Sequence, residues 1–438
     1  MNKKIHFIGI GGIGVSALAQ YYLAKGDKVS GSDLVSSEII KYLQRKGAEV
    51  FIGNHKAKNL LKGVDLVVYS PAVKRDNLEL LKAKSYKIKT ISYPQALGEL
   101  TKQYFTIAVS GTHGKSTTAS MISLVLIKAG LDPTVIIGTK LREFGNSNFR
   151  KGKSEYLVIE ADEYVASFLN YRPRVIVLTN IEKDHLDYYK NFGNILKTYK
   201  KYIHFLLETG TLVANKDDKR MFQLLGEIKQ PKYLEWYSLN QTEAKDLKKI
   251  LKIPGDHNIS NALAALTLAR VLGISDKVSF KALSEYKGSW RRFEIKESTI
   301  NNKQLTVISD YAHHPTEIKA TLKAVREKFP NNQILCIFQP HQYQRTFYLW
   351  KDFLKVFQEA PIDKAIITDI YDVAGREEKK IKKEVSAKKL VKAINKQKVI
   401  YLPKKDIFPY CKDYLNRGEI VIIMGAGDIY ELVDRFST

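Results

Sequence analysis

The stretch Ser110–Ser120, SGTHGKSTTAS, limits what this chain can fold into more than any other. The β-forming run Tyr104-Phe105-Thr106-Ile107-Ala108-Val109 leads into it, and a helix leaves it through Met121, Leu124 and Leu126. Between them Gly111, Thr112, His113, Gly114 and Lys115 make a tight turn, and Ser116, Thr117 and Thr118 open the helix. Strand, glycine turn, Lys-Ser pair and helix form a phosphate cradle. Backbone N–H groups of the turn and of the helix N-terminus face an anion, Lys115 bridges phosphates, and the Ser116 hydroxyl can ligate Mg2+. The common motif has glycine six residues before the lysine; here that position is Val109, so the loop is the shortened form G-T-x-G-K-S.

A chain of 438 residues has room for two to four domains, each with its own core. Hydrophobic residues make up 44% and charged residues 27%, which reads as soluble and globular. No apolar stretch reaches the length of about 20 residues that a membrane span needs, and the N-terminus does not resemble a signal peptide. Cys336 and Cys411 are the two cysteines, too few for a disulfide framework or a zinc spacing. The expectation is a cytoplasmic protein with no membrane partner. Lys and Arg number 71 against 46 Asp and Glu, a net charge of +25. Two readings compete: a nucleic-acid partner, or anionic small substrates on a lysine-rich chain. The charge is spread along the chain, and its densest run, Lys379–Lys398, has no interleaved aromatics. That favours small anions and no nucleic acid.

In the first segment, Ile5–Ile10 reads as a strand running into Gly9-Ile10-Gly11-Gly12-Ile13-Gly14, followed by a helix over Val15–Ala24. Gly9, Gly11 and Gly14 fit G-x-G-x-x-G, a diphosphate-binding turn. A second strand, Lys28–Ser30, ends in Gly31-Ser32-Asp33, where a Rossmann-like unit holds a ribose. Further βα units follow: a helix at Lys41–Gly47 and strands at Glu49–Ile52 and Leu66–Ser70. Alone this turn suggests NAD, but it reports a diphosphate and would equally fit a UDP-linked substrate.

In the central segment, Tyr156–Ala161 and Arg174–Asn180 are continuous apolar runs, as in buried parallel strands. Their ends carry Glu160-Ala161-Asp162-Glu163 and Thr179-Asn180-Ile181-Glu182-Lys183-Asp184-His185. Ligands bind at strand C-terminal ends in such sheets, which would set Glu160 and His185 beside the phosphates. A carboxylate is a natural Mg2+ ligand; His185 also reads as a structural loop histidine. Asn258 and Asn261, at i and i+3 ahead of an Ala/Leu helix, either read a purine edge or serve with Asp256 in capping.

In the last segment, Gly288–Glu294 reads as a linker whose paired arginines can reach phosphate. Strands at Thr306–Asp310, Gln333–Phe338, Ala365–Ile370, Lys398–Tyr401 and Ile420–Met424 alternate with helices. One helix, Pro315–Lys328, puts Ile318, Leu322 and Val325 on one face. Strand ends again carry chemistry: Asp310-Tyr311-Ala312-His313-His314-Pro315 and Gln339-Pro340-His341-Gln342-Tyr343-Gln344-Arg345-Thr346. The fold class expected is α/β in three domains: a Rossmann-like domain over 1–103, a P-loop ATPase-type parallel-sheet domain over 104–287, and a Rossmann-like domain over 288–438.

Together these motifs resemble the Mur ligases, ATP-dependent amide-forming enzymes of peptidoglycan synthesis. The resemblance covers the whole chain. It rests on Gly111–Lys115, Glu160–Glu163, Thr179–His185, His257–Asn261, Arg291–Phe293, Asp310–Glu317 and Met424–Asp428. His6–Ala19, Gly31–Asp33 and Phe338–Thr346 are most similar to the branch that joins L-alanine to the carboxylate of UDP-N-acetylmuramate. A tripeptide-recycling branch is the alternative. The resemblance implies ATP and Mg2+ as cofactors and an acyl-phosphate intermediate. The chain would act as a monomer or homodimer. Gly111, Thr112, His113, Gly114, Lys115, Ser116 and Thr117 would hold ATP, with Asn258 and Asn261 on adenine, Asp310 on the ribose and Arg292 at the γ-phosphate. Ser116, Glu160 and His185 would hold metal. Gly9, Gly11, Gly12, Gly14 and Asp33 would bind the UDP-sugar. His313, His314, His341 and Arg345 would line the acyl and amino-acid side; Lys115, Glu160, His185, Arg292 and His314 would be catalytic. The family pattern EADESD reads here with Tyr164-Val165, closer to the recycling branch, and HRYTRT reads with Gln342, which removes a guanidinium. Lys200, near a position where some relatives carry a carbamylated lysine, reads as an ordinary exposed lysine.

Overall fold

The computed structural model describes residues 2–206, 209–228, 231–300, 303–373, 379–416 and 418–436. It contains three sheets in a three-domain α/β fold. The backbone packs as two compact units. The first comprises 1–181, 195–238 and 264–283, and the second 182–194, 239–263 and 284–438.

The first unit holds two sheets. Its N-terminal sheet is parallel throughout, in the order Glu49–Ile52, Lys28–Asp33, Lys4–Ile8, Leu66–Tyr69, Lys89–Ser92. The strand order reverses beside Lys4–Ile8, so the glycine turn that follows this strand lies at the crevice where such sheets bind ligands. Helix Ile13–Ala24 buries Val15 to Tyr21 without a break. That run reflects cover on two sides, by its own sheet and by the hairpin Thr134–Leu141/Ser147–Arg150 of the next sheet. Polar groups caught in this contact are paired: Gln20 Nε2 donates to Asn148 Oδ1 (2.7 Å), and Ser147 Oγ to Gln20 Oε1 (2.8 Å). A second close approach needs Gly98, because a Cβ there would stand 2.5 Å from the Asn170 carbonyl oxygen.

The central sheet has seven strands in the order Tyr233–Tyr237, Thr211–Asn215, Val175–Leu178, Phe105–Ser110, Tyr156–Glu160, Thr134–Leu141, Ser147–Arg150. All pair in parallel except the last. Phe105–Ser110 lies between the two apolar runs singled out in the sequence. Ile107, Ala108 and Val109 are fully buried, which is why no polar residue interrupts them.

The sheet of the second unit runs Glu294–Ile300, Lys303–Asp310, Ile420–Met424, Ile334–Phe338, Lys364–Ile367, Val399–Tyr401. Its first pair is antiparallel and the rest parallel. The supposed linker is therefore a tight bend, with Ser289 bridged to Arg292, that feeds directly into an edge strand. EIKESTI carries no strand signature in the sequence, because only Ser298 and Ile300 of that strand are buried, too few to print an alternation. Helix Pro315–Lys328 forms as its pattern predicts, burying Ile318, Leu322 and Val325, with His314 as N-cap, proline in the first turn and Glu317 closing a capping box.

Candidate active site

The candidate residues divide between the two units. In the first, Gly111 takes φ 127° and Gly114 φ 83°. Only glycine serves at position 111, because a Cβ there would fall 2.1 Å from Thr179 Oγ1. The loop is braced from the neighbouring strand end. Thr112 N donates to Asn180 O (2.9 Å) and His113 N to Asn180 Oδ1 (2.9 Å), while Thr179 Oγ1 donates to His113 O (2.6 Å). Helix Lys115–Lys128 begins at once, with Ser116 and Thr117 buried in its first turn.

Lys115 Nζ donates to Gly111 O (2.6 Å) and to Glu163 Oε2 (2.7 Å), with Asp162 Oδ1 at 3.8 Å. Burial works against its charge, but Glu163, Asp162 and Glu160 outweigh it and hold the ammonium protonated. For Glu163 burial wins over the ammonium and pushes its carboxyl up to about 7. Ser116 Oγ donates to Glu160 Oε2 (2.9 Å), and Gly138 N to Glu160 Oε1 (2.5 Å). A hydroxyl and a carboxylate in contact are a hard-oxygen pair suited to Mg2+.

The N-terminal glycine turn is tied to the second strand. Gly9 N and Ile10 N both donate to Ser32 O, and Gly11 N donates to Asp33 Oδ2 (2.8 Å). Asp33, expected on a ribose, thus spends one carboxylate oxygen on the turn itself. Gly14 faces the Tyr93 ring, where a Cβ would lie 2.7 Å from the hydroxyl oxygen, and Gly12 caps the following helix. Lys200, read as exposed, is partly buried and pairs with Glu227.

In the second unit, residues of two distant motifs are locked together. Asp184 and Arg345 form a bidentate ion pair, with Nη2 3.1 and 3.2 Å from the two carboxylate oxygens and Nε 3.2 Å from Oδ1. Burial would raise the Asp184 carboxyl, but the Arg345 guanidinium foremost holds it well below the usual range. His185 follows with φ 52°. His314 Nδ1 accepts from Thr316 N (3.3 Å) and its Nε2 meets Lys183 O at 3.2 Å, so both ring nitrogens serve backbone groups. Thr316 Oγ1 donates to Glu182 Oε2 (2.7 Å). Arg345, expected on the acyl side, is thus committed to Asp184 and to His341, whose Nδ1 lies 3.2 Å from Nη1.

The paired arginines separate in role. Arg291 is buried against the rings of Trp290, Tyr311 and Tyr430 and donates to the carbonyls of Gly425 and Gly427. It fastens the Met424–Asp428 turn. Arg292 lies 4.7 Å over the Tyr311 ring and keeps a partly exposed position. Both oxygens of Asp310, expected on a ribose, accept backbone N–H groups, from Phe293 and Ala312 (2.8 Å each). Asn258 and Asn261 lie in the first turns of helix Asp256–Val271, and Asn258 Nδ2 donates to Pro254 O (2.7 Å), the turn-locking alternative. Neither Glu163 as the partner of Lys115 nor the Asp184–Arg345 pair was read from the sequence, since each joins residues far apart in the chain with nothing local to mark them.

Known proteins match the chain along almost its whole length. The model described as "Mur ligase family, catalytic domain" matches residues 4–105, the Mur ligase middle domain 109–269, and the Mur ligase glutamate ligase domain 291–427. The UDP-N-acetylmuramate–L-alanine ligase of Acetivibrio thermocellus is 44% identical over 99% of this chain and 95% of its own. The crystal structure of UDP-N-acetylmuramate–alanine ligase from Thermotoga maritima superposes with a TM-score of 0.81 at 29% identity, covering 99% of this chain and 98% of that one. A murein peptide ligase from Psychrobacter arcticus shares the fold, with a TM-score of 0.73 at 24% identity over 99% and 98% of the two chains. With its three domains matched in order and a full-length relative at this identity, the chain belongs to the Mur ligase family.

Proposed function

We propose that the chain is an ATP-dependent ligase that joins L-alanine to the carboxylate of UDP-N-acetylmuramate. The full-length identity to an L-alanine ligase carries the reading. The phosphate loop, with Lys115 held by Glu163 and Ser116 held by Glu160, is consistent with it. Segment 1–103 would bind the UDP-sugar at Gly9, Gly11, Gly12 and Gly14, segment 104–287 ATP, and segment 288–438 the amino acid. We place its action in the cytoplasm, where ATP and nucleotide-linked sugars occur.

The reaction joins two anions, so the protein must neutralise charge. The N–H groups at the helix start, Gly114 to Ser116, would cradle the phosphates, and Lys115 would bridge the β- and γ-phosphates. A carboxylate oxygen of the muramoyl group attacks the γ-phosphorus, ADP leaves, and an acyl phosphate forms. The amine of alanine attacks the acyl carbon, and the tetrahedral intermediate collapses to amide and phosphate. Ser116 and Glu160 would hold Mg2+, with His185 for a second ion; when bound, Mg2+ supplies positive charge to the phosphates. Arg292 would steady the γ-phosphate.

Phosphate release tests the reading, with UDP-N-acetylmuramate, ATP and Mg2+ in the presence or absence of L-alanine. Release that needs both substrates and vanishes in Lys115→Ala supports it. Release with the murein tripeptide while alanine is refused overturns it in favour of recycling, the branch that Tyr164 resembles.

A further inference from the structure

Three imidazoles crowd the ends of two strands in the second unit, and hydrogen bonding sorts them. Thr316 N–H points at His314 Nδ1, so the His314 proton sits on Nε2 and is donated to Lys183 O. Arg345 can only donate, so His341 Nδ1 is an acceptor and its proton also sits on Nε2. His341 is further held by stacking on Tyr371, with ring centres 5.5 Å apart and planes at 8°.

His313 is the reverse. Its Nδ1 lies 3.1 Å from Tyr311 O and 3.1 Å from Glu317 Oε2, both acceptors. The proton is therefore fixed on Nδ1, and the lone pair is on Nε2. Nε2 makes no hydrogen bond among the described residues, and the side chain is 16% exposed. The ring is clamped edge-on between Tyr311, at 5.2 Å, and His341, at 5.7 Å. A carbonyl or carboxylate acceptor that orients one imidazole nitrogen so that the other presents a lone pair is how a general base is built. Glu317 is itself rigid, because it accepts from His313 N and His314 N as part of the helix cap.

Resting on the ligase reading above, we propose that His313, oriented by its Nδ1–H bond to Tyr311 O beside the Glu317 carboxylate, is the proton acceptor for the amine nucleophile. Alanine arrives as an ammonium ion, which has no lone pair. One proton passes from its nitrogen to His313 Nε2. The freed pair forms the C–N bond, the C–O bond to phosphate breaks with its electrons going to the phosphate oxygen, and the second nitrogen proton leaves with that phosphate. The charged and titratable groups around the ring are Glu317, Tyr311 and His341. Beyond them lie Arg292 over Tyr311, Arg345 against His341, and Asp184 on Arg345. His314, although adjacent, has its Nδ1 lone pair engaged by Thr316 N.

The test separates the two half-reactions. Hydroxylamine is already neutral near pH 7 and traps an acyl phosphate as the hydroxamate without a base. His313→Asn keeps a donor for Tyr311 O and removes the base. We expect alanine ligation to fall by about 10^2-fold or more, while ATP-dependent hydroxamate formation from UDP-N-acetylmuramate stays within about threefold of wild type. Glu317→Gln retains a capping acceptor and should show a smaller loss in the same half-reaction. Equal loss of both reactions, or unimpaired ligation in His313→Asn, overturns the assignment. A wild-type protein that forms no hydroxamate overturns the ligase reading instead.

Discussion

The Lys115 ammonium stands 2.7 Å from Glu163 Oε2, and Glu163 is only 3% exposed. A lysine proposed to meet phosphates is thus held by a carboxylate three residues beyond Glu160, the partner of Ser116. Two acids of one short segment hold Lys115 and Ser116, the two side chains proposed to do the work of the phosphate loop.

This predicts a pH limb. Burial pushes the Glu163 carboxyl up to about 7, against the pull of Lys115. Lys115 stays charged throughout, so lowering the pH below about 7 removes only the negative charge that aims it. Turnover of the wild type should fall on that acid side. Glu163→Gln should turn over about tenfold more slowly at pH 8, in line with a lost charge contact at a reacting phosphate, and should lack the limb. An unchanged limb in Glu163→Gln would assign it to another group.

Gly138 gives a second prediction. Its N–H holds Glu160 Oε1, and an added Cβ would meet the carboxylate oxygens at 3.0 and 3.3 Å. Gly138→Ala should turn Glu160 away from Ser116. The Mg2+ concentration giving half-maximal rate should rise by about tenfold, roughly 1.4 kcal/mol, with little change in melting temperature. A metal dependence like that of the wild type would show that Glu160 does not hold the ion.

Much of this was legible because the chemistry is local. Gly111, Gly114, Lys115 and Ser116 adjoin in sequence, and the buried strands beside them announce themselves as unbroken apolar runs. What was illegible is tertiary. Arg345 reads as an anion-binding residue until Asp184, in another motif, claims it. Arg291 and Arg292 look alike on paper, yet one is wrapped by three aromatic rings from separate segments. Asp310 reads as a free carboxylate because backbone N–H groups, which every residue but proline carries, leave no mark in a sequence. His313 and His314 differ in role through which nitrogen a neighbour occupies, and residue type alone does not encode that.

Strain gives a third prediction. Val165 has φ 49° and Ala166 φ 55°, in the loop directly after Glu163. A β-branched residue resists that conformation at a cost of about 1–2 kcal/mol, whereas asparagine tolerates it. Val165→Asn should therefore raise stability by about 1 kcal/mol and the melting temperature by about 2 °C. A drop in melting temperature would mean that packing of the valine side chain outweighs its backbone strain.

The last prediction concerns Glu79, fully buried beneath the N-terminal sheet. His6 Nε2 and Ser32 Oγ each lie 2.8 Å from Oε2, Asn59 Nδ2 donates to Oε1 (2.9 Å), and His55 Nδ1 is 3.1 Å from Oε1. Burial alone would raise this carboxyl, but the bonds from His6, Asn59 and Ser32 hold it down to about 2, against 4.5 unperturbed. Because the folded value is the lower one, its stabilisation is present above pH 4.5 and is lost as the pH falls toward 2. The difference is worth about 3 kcal/mol. Glu79→Gln should lose about that much at pH 7 and should flatten the fall in stability between pH 4.5 and 2, measured by denaturant titration across that range. Ser32 couples this network to the glycine turn, since its carbonyl receives Gly9 N and Ile10 N. The variant should accordingly raise the KM for UDP-N-acetylmuramate by several-fold while leaving that for ATP unchanged. Equal effects on both substrates would mean that Glu79 supports the fold alone and has no particular hold on the turn.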